Sequence, residues 1–254
     1  MAAATATNGH AVASPKITLY TNHGCPYAHR AHITLEELKL PYEEVLIDLN
    51  TPRPQWYLDI NPRGLVPSIK YSVEGVYDEE IVTESAVVAQ FLMDSFPSHL
   101  LPGTREAPGA PLRRARLNFF VDTWSTKVGS NWFSIMLLDD GAEKDEKVDA
   151  WVATIEKELE PLLKDADPFF GGSKEFTLAE VIAAPFVLRF FLIAEDGEFL
   201  PKSLISKLEK LPNFSRWAQA VRSHPSALKT FPQEEILSGM RTRMAKMKAG
   251  AKGK

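Results

Sequence analysis

Cys25 is the sharpest chemical feature of this 254-residue chain and its only cysteine. Pro26 follows it, at the head of a run whose apolar residues Ala28, Ala31, Leu35 and Leu38 share one helical face. Proline suits the first helical position, where its missing amide would have had no partner. Cys25 is therefore expected near a helix N-terminus, where free amides and the helix dipole favour a thiolate. A lone cysteine is otherwise a small buried hydrophobe; the strand–Gly–Cys–Pro–helix setting favours a reactive thiol. Position 28 is alanine, so a two-cysteine relay within one chain is excluded and any resolving thiol comes from solution.

Two further pairs could serve the same chemistry. Val66-Pro67 precedes a strand candidate; alone, Pro67 reads as an edge-strand proline, but a cis bond there would expose the Val66 backbone beside Cys25. Glu84-Ser85 precedes a helical run; Ser85 is a candidate N-cap, its helix terminus suits a carboxylate, and Glu84 could take an ammonium. Alone, that pair reads as simple capping. His23, His29 and His32 lie within ten residues, but His29 and His32 have helical spacing and lack a further converging ligand, so no metal site is expected. His23 could steady a thiolate or simply lie at the surface. Tyr20 and Tyr27 each carry a hydroxyl near Cys25; Tyr27 reads as a packing aromatic with access to substrate, and Arg30 as a structural salt-bridge partner.

These residues need elements to position them. Residues 1–14 read as a disordered tail without the charged and apolar regions of a signal peptide. Residues 15–97 alternate strands (Ile17 to Tyr20, Tyr42 to Leu49, Val66 to Tyr71, Val76 to Val82, with a turn at Gly75) and helices (Ala28 to Leu38, a short one at Trp56 to Leu58, Ser85 to Phe96). That is a βαβ unit followed by ββα, a compact α/β domain. Residues 98–110 read as a proline- and glycine-rich linker. Residues 111–238 are helical throughout. Leu117, Phe120, Val121, Trp124 and Val128 share a face, and Trp151, Ile155 and Leu159 mark another helix. Thr177 and Glu180 have capping-box spacing ahead of a very apolar helix, bent or interrupted at Pro185. Residues 239–254 form a basic tail, expected to be solvated or frayed; from Arg241 onward it has six basic residues and no acidic one.

Composition narrows the function classes. The net charge of −4 argues against a general nucleic-acid binder. The most apolar stretch, Ala183 to Ala194, is too short to span a bilayer and contains Arg189, so no membrane span is expected. One cysteine allows no intramolecular disulfide and no cysteine-rich zinc site, and fits a reducing, cytoplasmic setting.

Taken together, Cys25-Pro-Tyr-Ala-His-Arg30, Asn61-Pro-Arg-Gly-Leu-Val-Pro67, Glu84-Ser85, Phe169-Phe-Gly-Gly172 and Phe176-Thr-Leu-Ala-Glu180 resemble the glutathione transferase superfamily over roughly residues 16 to 225. The cysteine form resembles the omega-like branch, of fungal or plant-like cytosolic type. The resemblance implies a thioredoxin-like α/β N-terminal domain followed by an all-α C-terminal domain, a homodimer, and glutathione as co-substrate. It implies that Cys25 forms a mixed disulfide with glutathione, that Pro67 is cis, and that the Val66 backbone pairs with the cysteinyl part. Glu84 and Ser85 would hold the γ-glutamyl end, and Arg53, where the pattern more often has lysine, the glycyl carboxylate. The family's cap usually ends in aspartate; Glu180 is one methylene longer.

The expected activity is glutathione-dependent thiol transfer or reduction of a disulfide, glutathionyl adduct or oxidised small molecule. The alternatives are conjugation of glutathione to a small apolar electrophile, in detoxification or secondary metabolism, and non-catalytic ligand binding on the same fold. A second substrate would sit in a groove over Cys25. That groove is expected to be lined by helices from Pro111 to Val128 and from Phe214 onward, with Phe119, Phe120 and Trp124 as candidate contacts beside Tyr27.

Overall fold

The computed structural model describes residues 15–252, so the expected N-terminal tail lies outside the described residues. Four strands, β1 (Lys16–Thr21), β2 (Glu43–Leu46), β3 (Ser68–Val73) and β4 (Tyr77–Thr83), form one sheet in the order β2-β1-β3-β4. β1 runs parallel to β2 and antiparallel to β3, and β3 pairs antiparallel with β4. The period-two pattern of β1 divides its side chains between two clusters. Ile17 and Leu19 pack with Ala31, Leu35, Val88 and Leu92, whereas Tyr20 packs with Ala28, Ile47, Tyr57 and Val66. α1 (Pro26–Glu37) and α3 (Ser85–Ser95) supply the helical half of the first cluster. α2 (Gln55–Ile60) buries Tyr57, whose hydroxyl donates to the Leu65 carbonyl at 2.6 Å. A thioredoxin-like sheet domain is thus followed by helices alone.

Three elements differ from their sequence-based expectation. β2 is only four residues long, because the loop after it is held by side chain-to-backbone bonds instead of by the sheet. Ser85 is not an N-cap: Glu84 takes that place, and Ser85 opens α3 with its hydroxyl accepting from Arg30 Nη1 at 3.0 Å. The basic C-terminal run is no frayed tail but part of α11 (Gln233–Lys252), anchored by buried Ile236 and Met244 and by Arg241, which bonds Asp196 and Glu198 at 2.6 Å each.

The helical region is α4 (Ala110–Thr123), continued by a π turn over Trp124–Val128, then α5 (Asn131–Met136), α6 (Ala142–Glu158), α7 (Leu178–Asp196), α8 (Ser203–Leu208), α9 (Pro212–Arg222), α10 (Pro225–Lys229) and α11. The linker is anchored in the core through buried Leu100 and Leu101, and the Leu178 amide donates to the Leu100 carbonyl at 2.8 Å. α7 is the axis of this region, buried continuously from Leu178 to Phe191. It runs unbroken through Pro185, because packing on every side holds it where proline removes one ladder bond. Its capping box closes: Thr177 Oγ1 accepts from the Ala179 amide at 3.2 Å, and Glu180 Oε2 from the Thr177 amide at 2.9 Å. Both arms of the expected box are present, and the second helical amide, of Ala179, also donates to Thr177 Oγ1. The extra methylene lets Glu180 Oε1 also accept from the Phe170 amide at 2.9 Å and Trp217 Nε1 at 2.7 Å, tying three segments together. Among the described residues no helix is long and apolar enough to cross a membrane.

Candidate active site

Cys25 is the N-cap of α1 with Pro26 as the first helical residue, and its thiol is free and half-buried. Its Sγ lies 4.0 Å from the carbonyl oxygen of Val66, the residue before the cis Val66-Pro67 bond. Cys25, Tyr27, Arg53, Val66, Pro67, Glu84 and Ser85 all line one pocket of about 660 Å³. The sheet is why residues 60 positions apart meet there. β1 and β3 are antiparallel neighbours with Tyr20 opposite Ser68, so the loop leaving β1 and the turn entering β3 lie side by side. Thr83 pairs with Ser68 in turn, which brings the β4–α3 junction to the same edge.

Glu84 sits at that junction with φ +68°, a conformation L-residues avoid, and its exposed carboxylate pairs with Arg63. Arg30 crosses beneath the pocket, almost wholly buried. It donates from Nη1 to Ser85 Oγ at 3.0 Å and from Nε to the Ile182 carbonyl at 3.0 Å. It therefore joins α1, α3 and α7 by hydrogen bonds, where a salt bridge was expected. Tyr27 is 45% exposed at the pocket mouth, its ring edge-on to Phe186 and 5.2 Å from the Arg30 guanidinium.

A second buried cation supports the cysteine loop from the other side. Arg189 of α7 donates from Nη2 to the carbonyls of His23 and Gly24 at 3.2 and 3.3 Å. Its Nη1 reaches the Pro185 carbonyl at 2.8 Å and His29 Nδ1 at 3.1 Å. Burial pulls both arginines down to about 10, and negative charge at Cys25 opposes that pull in each. A Cys25 thiolate thus lies in the field of a helix N-terminus and two buried guanidiniums. The histidines divide. Burial and then Arg189 hold His29 well below its ordinary range, and burial pulls His32 down to about 4. His23 turns to Glu44, Nε2 to Oε1 at 2.9 Å.

Arg53 lines the pocket, but its guanidinium fastens the loop after β2. It donates to the carbonyls of Gly64 at 3.0 Å, Asp48 at 2.6 Å, Thr51 at 2.5 Å and Leu49 at 3.4 Å. Phe120 and Trp124 are fully buried in the helical core, packed on each other and on Trp217, and do not line the Cys25 pocket. Their shared face, read from spacing, is a core face. Phe119 is exposed but belongs to a separate hollow of about 960 Å³ along α4. Phe214 is buried as well.

The helical wall of the Cys25 pocket comes from α11, through Arg243, Lys246 and Met247. The Arg243 guanidinium lies 4.9 Å above the Phe133 ring, which orients it. By composition alone these residues belong to a solvated tail. The signal was the spacing of Ile236, Met240, Met244 and Met247, one apolar stripe along a helix. Arg189 had a signal too: a lone charge within an otherwise apolar stretch long enough to be buried.

Known proteins resemble this chain in sequence and in fold. Residues 24–95 match the family model described as the glutathione S-transferase N-terminal domain, and residues 142–220 match the C-terminal domain. The chain is 29% identical to the glutathione S-transferase DHAR2 of Arabidopsis thaliana over 214 residues, covering 84% of this chain and 86% of that one. It is 28% identical to the glutathione S-transferase omega-1 of Mus musculus over 110 residues, covering 43% and 41%. Among solved structures, glutathione transferase Omega 1C from Trametes versicolor superposes with a TM-score of 0.76 at 27% identity, covering 91% of this chain and 97% of that one.

Proposed function

Because the chain belongs to the glutathione transferase family, we propose that it is a glutathione-dependent thiol transferase of the omega type, with Cys25 as the nucleophile. The observation that carries this reading is the position of Cys25 Sγ, at the α1 N-terminus and 4.0 Å from the Val66 carbonyl, on the wall of a pocket also lined by Glu84 and Ser85.

In the first step the Cys25 thiolate attacks the glutathionyl sulfur of a mixed disulfide. The old disulfide bond breaks, and the departing thiolate takes a proton from water. Cys25 is left disulfide-bonded to glutathione. A second glutathione thiolate then attacks that bond, releasing glutathione disulfide and the Cys25 thiolate. The backbone at Val66 pairs with the cysteinyl part of glutathione, Glu84 takes the γ-glutamyl ammonium, and the α3 N-terminus at Ser85 takes its carboxylate. Arg53, engaged with four carbonyls, holds the loop in shape. The glycyl carboxylate falls to Arg243 and Lys246 on the facing wall. A homodimer and a cytoplasmic setting go with this reading.

The test is reduction of 2-hydroxyethyl disulfide by glutathione, wild type beside Cys25→Ala. Turnover that disappears in the folded variant supports the reading. Turnover that survives overturns it and leaves conjugation to an electrophile, which does not need the cysteine, as the activity to measure.

A further inference from the structure

His23, His29 and His32 separate in the fold, but two of them meet a partner that no helical spacing could reveal. β2 pairs parallel with β1, Glu44 opposite Leu19, and that places the Glu44 carboxylate beside the loop and helix that follow β1. One ring nitrogen of His23, one of His32 and one Glu44 oxygen all lie within 4.8 Å of one another. His23 is 2.9 Å from Glu44 Oε1, and His32 is 3.4 Å from the same oxygen.

We propose that His23, two residues before Cys25, forms with His32 and Glu44 a binding site for a divalent cation of the zinc class, separate from the thiol. Two imidazoles and one carboxylate suit zinc, copper or nickel and not magnesium or calcium, which take oxygen ligands. Around a tetrahedral ion with bonds of about 2.0–2.1 Å, neighbouring ligand atoms stand about 3.3 Å apart. The two His–Glu separations fall on either side of that value, and the two histidine nitrogens, within 4.8 Å of each other, close to it by rotation of the exposed His23 side chain. The ring of His32 is already oriented for ligation. Its other nitrogen, Nδ1, is 3.2 Å from the Tyr42 hydroxyl, the outer hydrogen bond that ligating histidines characteristically make. Thr21 Oγ1, 2.8 Å from His32 Nε2, would turn aside as the ion enters. The side chains of His23 and Glu44 are 37% and 30% exposed, which gives the ion an entry path and leaves a fourth position for water. The site holds the loop from the β2 side, while Arg189 grips the carbonyls of His23 and Gly24 from α7.

The test is calorimetric titration of the chelator-treated full-length protein with zinc chloride, in wild type, Cys25→Ala, His23→Ala and Glu44→Gln. His32 is left intact because it is buried. The expected result is one ion per chain in wild type and Cys25→Ala, weakened at least tenfold in His23→Ala and Glu44→Gln. Cobalt bound in its place should show d–d absorption without a thiolate-to-metal charge-transfer band. Absence of saturable binding overturns the proposal. So does binding lost in Cys25→Ala, which would make the thiol the ligand, or binding unchanged in Glu44→Gln.

Discussion

The guanidinium of Arg189 donates to Nδ1 of His29 at 3.1 Å, and both side chains are buried, one from α7 and the other from α1. Arginine has no acceptor, so His29 is bound as the neutral tautomer with its proton on Nε2. Arg189 thereby ties the helical region both to α1 and to the backbone of the loop that carries Cys25.

Replacing Arg189 by methionine should keep much of the volume but strand the carbonyls of His23 and Gly24 without their donor. The buried His29 Nδ1 and Pro185 carbonyl lose their donor too, and a loss of about 2–4 kcal/mol in unfolding free energy is expected, because buried acceptors left unpaired cost about 1–3 kcal/mol each. Urea denaturation measures it. Arg189→Lys should rescue little, since one ammonium cannot span the same set of acceptors. A cost under about 0.5 kcal/mol for both variants would contradict the anchoring role.

His29 makes the fold sensitive to acid. Its folded pKa is held well below the ordinary 6.5 by burial and then by Arg189. Below that ordinary value the unfolded chain takes up a proton that the folded one refuses, so stability present above it is lost as the pH falls. The slope from this one group is up to about 1.4 kcal/mol per pH unit. Urea midpoints between about pH 5 and 7.5 should therefore fall less steeply in His29→Gln, which keeps an acceptor for Arg189.

Glu84 holds a positive φ of 68° and carries an exposed carboxylate. Glycine has no Cβ to clash at that φ, so Glu84→Gly should relieve about 1 kcal/mol of strain. If Glu84 takes the γ-glutamyl ammonium as proposed, the same change should lower glutathione affinity roughly tenfold, equivalent to about 1.4 kcal/mol. Thermal unfolding and glutathione titration of one variant check both signs.

Arg243 and Lys246 are tested by alanine substitution. Each exposed cation is worth about 0.5–1 kcal/mol to a carboxylate, so KM for glutathione should rise about 2–5-fold with kcat little changed. Glutathione esterified at its glycyl carboxylate should not distinguish the variants from wild type. An equal effect on both thiols would assign these residues to some other part of the ligand.

The local signals were strong where the chain solves its own problem. Cys25-Pro26 marks a helix start because proline needs no amide partner there, and Thr177 with Glu180 closes a cap within four residues. Such short-range chemistry, with the order of the motifs, was enough to expect a sheet domain followed by helices and one cysteine-centred site.

What spacing could not tell was which way a face turns. Phe120 and Trp124 have the periodicity of a buried face and the chemistry of a ligand wall, and only packing against Trp217 decides for the core. Arg53 stands at the expected position, yet its hydrogen bonds depend on how the loop carbonyls fold back around it. The basic end reads as solvated because its charges are visible in sequence, while Ile236 and Met244 join the core only once the helical region is assembled. Glu44 meets His23 and His32 through strand register, and Arg189 meets His29 across 160 residues. The sequence by itself determined the local elements and the place of Cys25 at a helix N-terminus, because those depend on neighbours along the chain. Only the tertiary structure decided the pocket wall, the anchor of the cysteine loop and the histidine–glutamate cluster, because burial and convergence are set by residues far apart in sequence.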